Sequence, residues 1–141
     1  MTEENRAVHV MAELARGEQS LRAAQELLRL GLASDAVSRA YYAALHFVLA
    51  LLLTEGVEPR THRGAGAMLS LHFIVPARLS PERAKEFARL EQFRTEADYN
   101  RFFVFTLEGA TEEVEVAERF CEAARAWLLS NGWTKSASPA K

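Results

Sequence analysis

Residues that could do chemistry fall in three clusters, the first near the start of the apolar segment Ser34 to Gly56. Arg39, Tyr42 and His46 occur there at positions i, i+3 and i+7, which is one face of a helix. An arginine can contact an anion, and a histidine can transfer a proton near neutral pH. The alternative is that Tyr42 and His46 are core side chains whose polar tips find local partners.

The second cluster is Thr61-His62-Arg63-Gly64, in a loop that precedes a short predicted helix. Arg63 and nearby backbone N–H groups could together hold an anion at the start of that helix. Capping of the helix by this segment is the simpler explanation. His62 is the member of this cluster that could transfer a proton near neutral pH.

The third cluster runs from Arg94 to Asn100. On a helix, Arg94 and Asp98 lie one turn apart, so the carboxylate could hold the arginine and direct it at a phosphate group. Tyr99 would then be a second polar group or a surface on which a base stacks. The alternative is a solvated network with Arg101, worth a few tenths of a kcal/mol per pair.

Composition excludes several classes of function. The chain has 141 residues, enough for one domain with a real core, and a formal net charge of −2, which disfavours a strongly basic nucleic-acid coat. The single cysteine, Cys121, permits neither an intrachain disulfide nor a thiolate metal cluster. Four scattered histidines and the absence of standard phosphate-loop, HExxH and GxSxG motifs predict no metal and no cofactor.

Targeting signals are not evident. The N-terminal sequence is polar and acidic, and the longest apolar run, Ala43 to Leu53, is interrupted by His46 and too short to span a bilayer. With one cysteine in the chain, these features predict a cytoplasmic protein that does not associate with a membrane.

Apolar residues recur every three or four positions through most of the chain, which predicts an all-α bundle of four or five helices. The segment RFFVFTLEG is apolar and poor in helix formers, so it is predicted as a buried connector or a short extended piece. Residues 1–133 are predicted to form a single domain and 134–141 a flexible tail. The predicted helices run from about Glu4 to Leu30, from a cap at Ser34 or Asp35 to Gly56, from His62 to Ile74, from Pro81 (capped by Ser80) through Ala97, and from a cap at Thr111 to Gly132.

The ordered motifs carry a resemblance to a known family. SRAYYAALHFVLALLLTEG, then THRG, then LHFI and finally R-x-x-ADY resemble the HEPN domains of prokaryotes, over roughly Glu18 to Trp133. The resemblance implies an up-and-down bundle of four main helices with an extra short one, usually a homodimer. Many such proteins are metal-independent RNases, and they are often toxins paired with a small nucleotidyltransferase-fold antitoxin. The motifs of this chain resemble those of the toxin–antitoxin-associated branch.

Active members of that family carry an R-x(4–6)-H motif in which arginine steadies phosphate charge and histidine handles the proton of the ribose 2′-hydroxyl. Arg94 matches the arginine, but Tyr99 and Asn100 stand where the histidine would be. Tyrosine, with an ordinary pKa near 10, is a poor base at neutral pH. His46 or His62 would have to be brought to Arg94 by the fold.

Three hypotheses follow. The first is a dimeric module that binds nucleotide or RNA phosphate, with a nucleotidyltransferase-type partner; Arg94 contacts phosphate, Asp98 orients it, and Tyr99 and Arg39 complete the pocket. The second is a metal-independent endoribonuclease that uses Arg94 with Tyr99 or a histidine. The third is a structural role for the same residues, which requires a buried and fully paired Arg94.

A dimer also has support from the residues themselves. The run from Phe102 to Phe105 is more apolar than a connector needs, and Trp127 and Trp133 add aromatic surface. Such patches often mark interfaces. Packing of these side chains within the bundle explains them equally well.

Overall fold

The computed structural model describes residues 2–134, so residues 135–141 of the predicted tail lie outside the described part. Within residues 2–134 the secondary structure is helical, with no strand, which confirms the predicted all-α class. The helices are α1 (Glu3–Arg29), α2 (Ala33–Thr54), α3 (His62–Leu69), a π-helical turn (Ser70–Ile74), α4 (Pro81–Tyr99) and α5 (Leu107–Ser130). Four long helices and one short one therefore form the bundle.

Helix α2 is the centre of the bundle, because α1, α3, α4 and α5 all pack against it. Its sequence is apolar on several faces, and a helix of that kind is stable only when it is surrounded. Tyr41, Phe47 and Leu51 are among its fully buried side chains. The apolar segment predicted as a helix from Ser34 or Asp35 to Gly56 is therefore the central helix of the bundle.

By length and composition alone, helix α2 could span a membrane. The apolar run Ala43 to Leu53, predicted to be too short, is only part of this longer helix. In the bundle, however, 72% of its most apolar window is buried. A core helix surrounded by other helices meets the same criteria of length and composition, and burial is what distinguishes it.

Gly17 of α1 packs directly against α2. A Cβ atom at this position would come within 2.8 Å of two ring carbons of Phe47. Helix α1 is continuous through this glycine. The cost of glycine in a helix is offset by the close packing that it permits.

Helix ends are partly as predicted. Gly31 and Gly132 follow α1 and α5 with φ of +80° and +82°, the left-handed conformation that ends a helix. Ser80 caps α4 ahead of Pro81, since its side chain accepts a hydrogen bond from Glu82 N. The cap predicted for α2 is wrong: the helix begins at Ala33, with no side-chain cap.

The start of α5 also differs from the prediction. The helix begins at Leu107, and Thr106 rather than Thr111 is its cap, because the Thr106 side chain accepts a hydrogen bond from Gly109 N at 2.9 Å. Thr111 lies within the helix and donates to the carbonyl of Leu107. Glu113 lies in the second turn of α5, where it is buried and paired with Arg89.

The connector between α4 and α5 alternates between core and surface. Phe103 and Phe105 pack together with ring centroids 4.8 Å apart, and Phe105 is buried. Phe102 and Val104 are exposed. The predicted buried connector is therefore correct for one side of the segment and wrong for the other.

The two tryptophans pack on the bundle. Trp127 and Trp133 are partly buried against the core, and the ring of Trp127 meets that of Phe73 edge-on at 5.0 Å between centroids. Packing within the bundle therefore accounts for much of their apolar surface.

Candidate functional site

Arg94 lies on α4 and points into the crevice between α4 and α2, where 12% of its side chain is exposed. Its Nη1 atom is 3.5 Å from Asp98 Oδ2, the predicted one-turn pair. The other oxygen of Asp98 accepts a hydrogen bond of 3.3 Å from Ser38 Oγ on α2. Asp98 therefore connects the arginine to the central helix.

Three aromatic rings surround the Arg94 guanidinium. Its Cζ atom is 4.8 Å from the ring centroid of Tyr41, 5.8 Å from that of Tyr42 and 6.0 Å from that of Tyr99. A cation at these distances is attracted by the negative face of a ring. The rings restrict the orientation of the guanidinium without using up its N–H donors.

Two buried polar atoms at this point have no hydrogen-bond partner within residues 2–134, namely Arg94 Nε and the hydroxyl of Tyr41. Burial, together with the nearby carboxylate of Glu91, raises the pKa of Tyr41, and Arg94, which approaches the hydroxyl without completing an aligned bond, offsets this in part. An unpaired buried polar atom costs about 1–3 kcal/mol. The structural hypothesis requires a fully paired Arg94, and the observed pairing is incomplete.

Arg94 keeps its charge in these surroundings. Burial alone would lower its pKa, but the phenols of Tyr42 and Tyr41 and the adjacent carboxylate more than offset the effect, so the pKa lies above its ordinary value. A guanidinium is protonated at all physiological pH values in any case. The site therefore contains one permanent, partly buried positive charge.

An open cavity of about 400 Å³ lies between the N-terminus of α3 and the outer face of α4. Thr61 holds the start of α3 by accepting a hydrogen bond of 3.0 Å from Gly64 N, which confirms the predicted cap. The cap places the next two side chains at the cavity. The lining residues are His62, Arg63, Ala88, Glu91, Gln92, Arg94 and Thr95.

Tyr42 connects the first cluster to this cavity. Its ring meets that of His62 edge-on, with centroids 6.1 Å apart. The Cζ atom of Arg39 lies 5.1 Å from the centroid of the same Tyr42 ring. Helices α2, α3 and α4 therefore bring together the predicted residues Arg39, Tyr42, His62, Arg63, Arg94 and Asp98. Their functional roles stay predictions.

His46 lies elsewhere. Its Nδ1 atom is 2.8 Å from Glu13 Oε1 on α1, and both side chains are partly buried. Although His46 shares a helical face with Arg39, it is two turns further along α2, which places it about 10 Å away along the axis. The histidine that lies at the Arg94 cavity is His62.

Sequence reasoning missed two contributors. Tyr41 is fully buried beneath Arg94, and Glu91 lines the cavity as its acidic member. Glu91 lies three residues before Arg94 on the same side of α4, so helical spacing could have identified it. Tyr41 could not have been separated from Tyr42, because nothing local decides which tyrosine faces the core.

Other reactive groups in the described residues do not form a second centre. No cluster of three or more histidine, cysteine, aspartate and glutamate side chains within residues 2–134 is arranged to hold a metal ion. Cys121 is buried in α5, and burial raises the pKa of its thiol far above the ordinary value. A thiol in that state is an inert apolar side chain.

Comparison with known proteins identifies relatives over most of the chain. A protein of Methanocaldococcus jannaschii named "Putative toxin MJ0605" is 34% identical over 106 residues, which cover 75% of this chain and 73% of that protein. A "UPF0332 protein" of Thermotoga maritima is 31% identical over 108 residues, which cover 77% of this chain and 82% of that protein. "UPF0332 protein PH1297" of Pyrococcus horikoshii is 46% identical over 57 residues, and the match covers 40% of each chain.

The match to a family is broader than any of these segments. Residues 10–127 match the HEPN domain, a span that begins within α1 and ends within α5 and contains the whole Arg94 cavity. The resemblance stated from the sequence motifs is therefore confirmed. The chain belongs to the HEPN domain family.

Proposed function

We propose that the protein binds RNA through a backbone phosphate held in the Arg94 cavity. The observation that carries the proposal is the convergence of Arg94, Arg63 and His62 on one open cavity of about 400 Å³. Arginine N–H groups match phosphate oxygens in geometry and charge, and the backbone N–H groups at a helix N-terminus favour an anion. Membership of the HEPN family, many of whose members are RNases, supports RNA as the source of the phosphate.

The charges of the cavity fit one phosphate better than a highly charged ligand. Arg94 and Arg63 contribute two positive charges, and Glu91 opposes them with one negative charge. Asp98 is already engaged by Arg94 and by Ser38. A diester, with one charge per nucleotide, is therefore a better match than a nucleoside triphosphate.

Fluorescence anisotropy with a labelled 12-nucleotide single-stranded RNA tests the proposal. Arg63→Ala removes an exposed charge from the cavity and should weaken binding about tenfold while lowering the salt dependence by roughly 0.7 in the slope of log K against log[salt]. Arg94→Lys keeps the charge but loses the planar fork, so it should also weaken binding.

Arg22→Ala is the matched control, because it removes an exposed arginine of α1 that does not line the cavity. Thermal melting of each variant verifies that it is folded. Equal RNA affinity for wild type, Arg63→Ala and Arg94→Lys would overturn the proposal.

A second function, metal-independent RNA cleavage, is favoured by one observation: His62 lines the same cavity as Arg94. In this reaction the imidazole takes the proton of the ribose 2′-hydroxyl, and the resulting alkoxide attacks the adjacent phosphorus. The bond to the 5′-oxygen of the next nucleotide breaks, and that oxygen leaves with a proton from water. Arg94 stabilises the charge that develops on the phosphate.

Incubation of a labelled mixed RNA pool with EDTA tests this second function. Cleavage that persists in His9→Ala, an exposed histidine away from the cavity, and is lost in His62→Ala and Arg94→Lys would establish it. His46→Ala in the same series compares the histidine paired with Glu13. Binding without any cleavage by wild type would leave the phosphate-binding function alone.

We also propose that the protein acts in the cytoplasm as a homodimer with a nucleotidyltransferase-fold partner. Support for an interface comes from exposed apolar side chains at one end of the bundle, Leu30 and Leu32 between α1 and α2 and Leu107 at the start of α5. Sedimentation of wild type and Leu32→Glu at micromolar concentration tests the dimer. A monomeric wild type would contradict it, and co-purification with the co-expressed neighbouring gene product tests the partner.

A further inference from the structure

A tight turn after α4 holds an aromatic side chain away from the core. Asn100 caps the helix, its Oδ1 atom accepts a hydrogen bond of 3.1 Å from Phe102 N, and its carbonyl accepts one of 3.0 Å from Phe103 N. Phe103 packs inward onto Phe105, whereas Phe102, in the turn itself, is exposed to solvent. The ring of Phe102 therefore lies outside the packed pair of Phe103 and Phe105.

The exposure of the aromatic residues at this turn is unusual. Phe102 is 82% exposed and Tyr99, at the last position of α4, is 75% exposed. The Arg101 guanidinium lies 5.1 Å from the ring centroid of Phe102, so a cation borders the exposed ring. Large aromatic side chains are costly to leave in water, and clusters of them commonly mark binding surfaces.

Tyr99 lies beside the arginine of the proposed phosphate site, and Phe102 follows it in the turn. The Arg94 guanidinium that reaches the cavity also lies 6.0 Å from the ring centroid of Tyr99. Tyr99 and Phe102 are separated by only two residues of the turn. A strand whose phosphate contacts Arg94 would therefore have an adjacent nucleotide beside Tyr99, with Phe102 next along the turn.

We infer that Tyr99 and Phe102 form a stacking platform for unpaired bases, so that the ligand is single-stranded RNA rather than duplex RNA or a free nucleotide. Exposed aromatic rings beside arginines bind bases by stacking and cation–π contact, whatever the base. Bases paired inside a duplex do not present their faces in this way. The inference rests on the proposed phosphate site and names the class of ligand that the site takes.

A protein partner is the other occupant that an exposed apolar surface could have. Two features favour bases: Arg101 borders the ring of Phe102, and Arg94 lies against that of Tyr99. A flat ring flanked by guanidinium groups matches a nucleobase attached to a phosphate better than it matches an aliphatic side chain. RNA probes with and without bases distinguish the two occupants.

The test compares two labelled 12-nucleotide probes, a mixed-sequence single-stranded RNA and the same sugar-phosphate chain without bases. Phe102→Leu and Tyr99→Leu keep apolar side chains but remove the rings, and each should weaken binding of the complete RNA at least about fivefold. Binding of the abasic chain should not change. Phe102→Trp should restore or strengthen binding of the complete RNA.

Val104→Ala is the matched control, because Val104 is 80% exposed in the same connector but carries no ring. It should leave both affinities unchanged. The proposed function fails if Arg63→Ala affects neither probe. The platform alone fails if Arg63→Ala weakens both probes but Phe102→Leu and Tyr99→Leu weaken neither, or if Phe102→Leu shifts the sedimentation of the protein without altering RNA affinity.

Discussion

Arg89 and Arg94 lie on the same helix, five residues apart, and are held in opposite ways. Arg89 makes three hydrogen bonds of 2.6–3.1 Å to the carboxylate of Glu113, which is 3% exposed. Arg94 makes one contact of 3.5 Å to Asp98, and its Nε atom has no partner within residues 2–134. The first arginine satisfies a buried charge, whereas the second retains unused donors beside an open cavity.

The difference teaches how a structural arginine can be distinguished from a candidate ligand-binding one. Both residues are charged, both are near carboxylates, and both contact aromatic rings. What separates them is whether the hydrogen-bond capacity is used inside the chain. Unused capacity next to a cavity is available to a ligand, and used capacity contributes to stability.

The largest effect should follow from disrupting the structural pair. Arg89→Ala leaves the buried carboxylate of Glu113 without its partner, so the free energy of unfolding should fall by about 3–5 kcal/mol in urea titration. Arg29→Ala, which removes an exposed arginine paired with Glu26 one turn away, should cost at most about 0.5 kcal/mol. Equal costs for the two variants would show that Glu113 does not depend on Arg89.

An effect of intermediate size should appear at the cavity, where a substitution should strengthen RNA binding and leave stability nearly unchanged. Glu91→Gln removes the negative charge that opposes Arg94 and Arg63, so the affinity for a 12-nucleotide single-stranded RNA should rise about two- to fivefold at low salt. Stability should change little, because Glu91 makes no salt bridge within residues 2–134. Weaker RNA binding by Glu91→Gln would place the phosphate elsewhere.

The smallest effect concerns Glu86, another carboxylate of α4. Burial raises its pKa above the ordinary value of 4.5, more than the nearby guanidinium groups of Arg83 and Arg119 lower it. A carboxyl group whose pKa is higher in the folded state contributes stability below its ordinary pKa, and this contribution is lost as pH rises through the folded-state pKa.

Glu86→Gln cannot titrate, so the stability of wild type relative to this variant should decline between pH 4 and pH 7. Urea unfolding of both proteins at the two pH values measures the change. A relative stability that stays constant, or that increases with pH, would mean that the ion pairs of Glu86 outweigh its burial. Glu86 would then resemble Glu113 in its pairing with arginine.

Local sequence determined most of the fold and part of the site. The all-round apolar pattern of α2 required a central position, Gly31 and Gly132 ended their helices, and Ser80-Pro81 started α4. The one-turn spacing of Arg94 and Asp98 was sufficient to predict their contact. These features depend on helical geometry within a few residues, which the sequence specifies directly.

Only the tertiary structure decided which distant groups meet. Helix α5 begins at Leu107 with Thr106 as its cap, directly after the packed rings of Phe103 and Phe105. His62 reached the Arg94 cavity while His46 turned to Glu13, although both histidines were candidates by residue type. Such choices depend on how helices far apart in sequence pack against one another, and side-chain spacing along one helix carries no information about that packing.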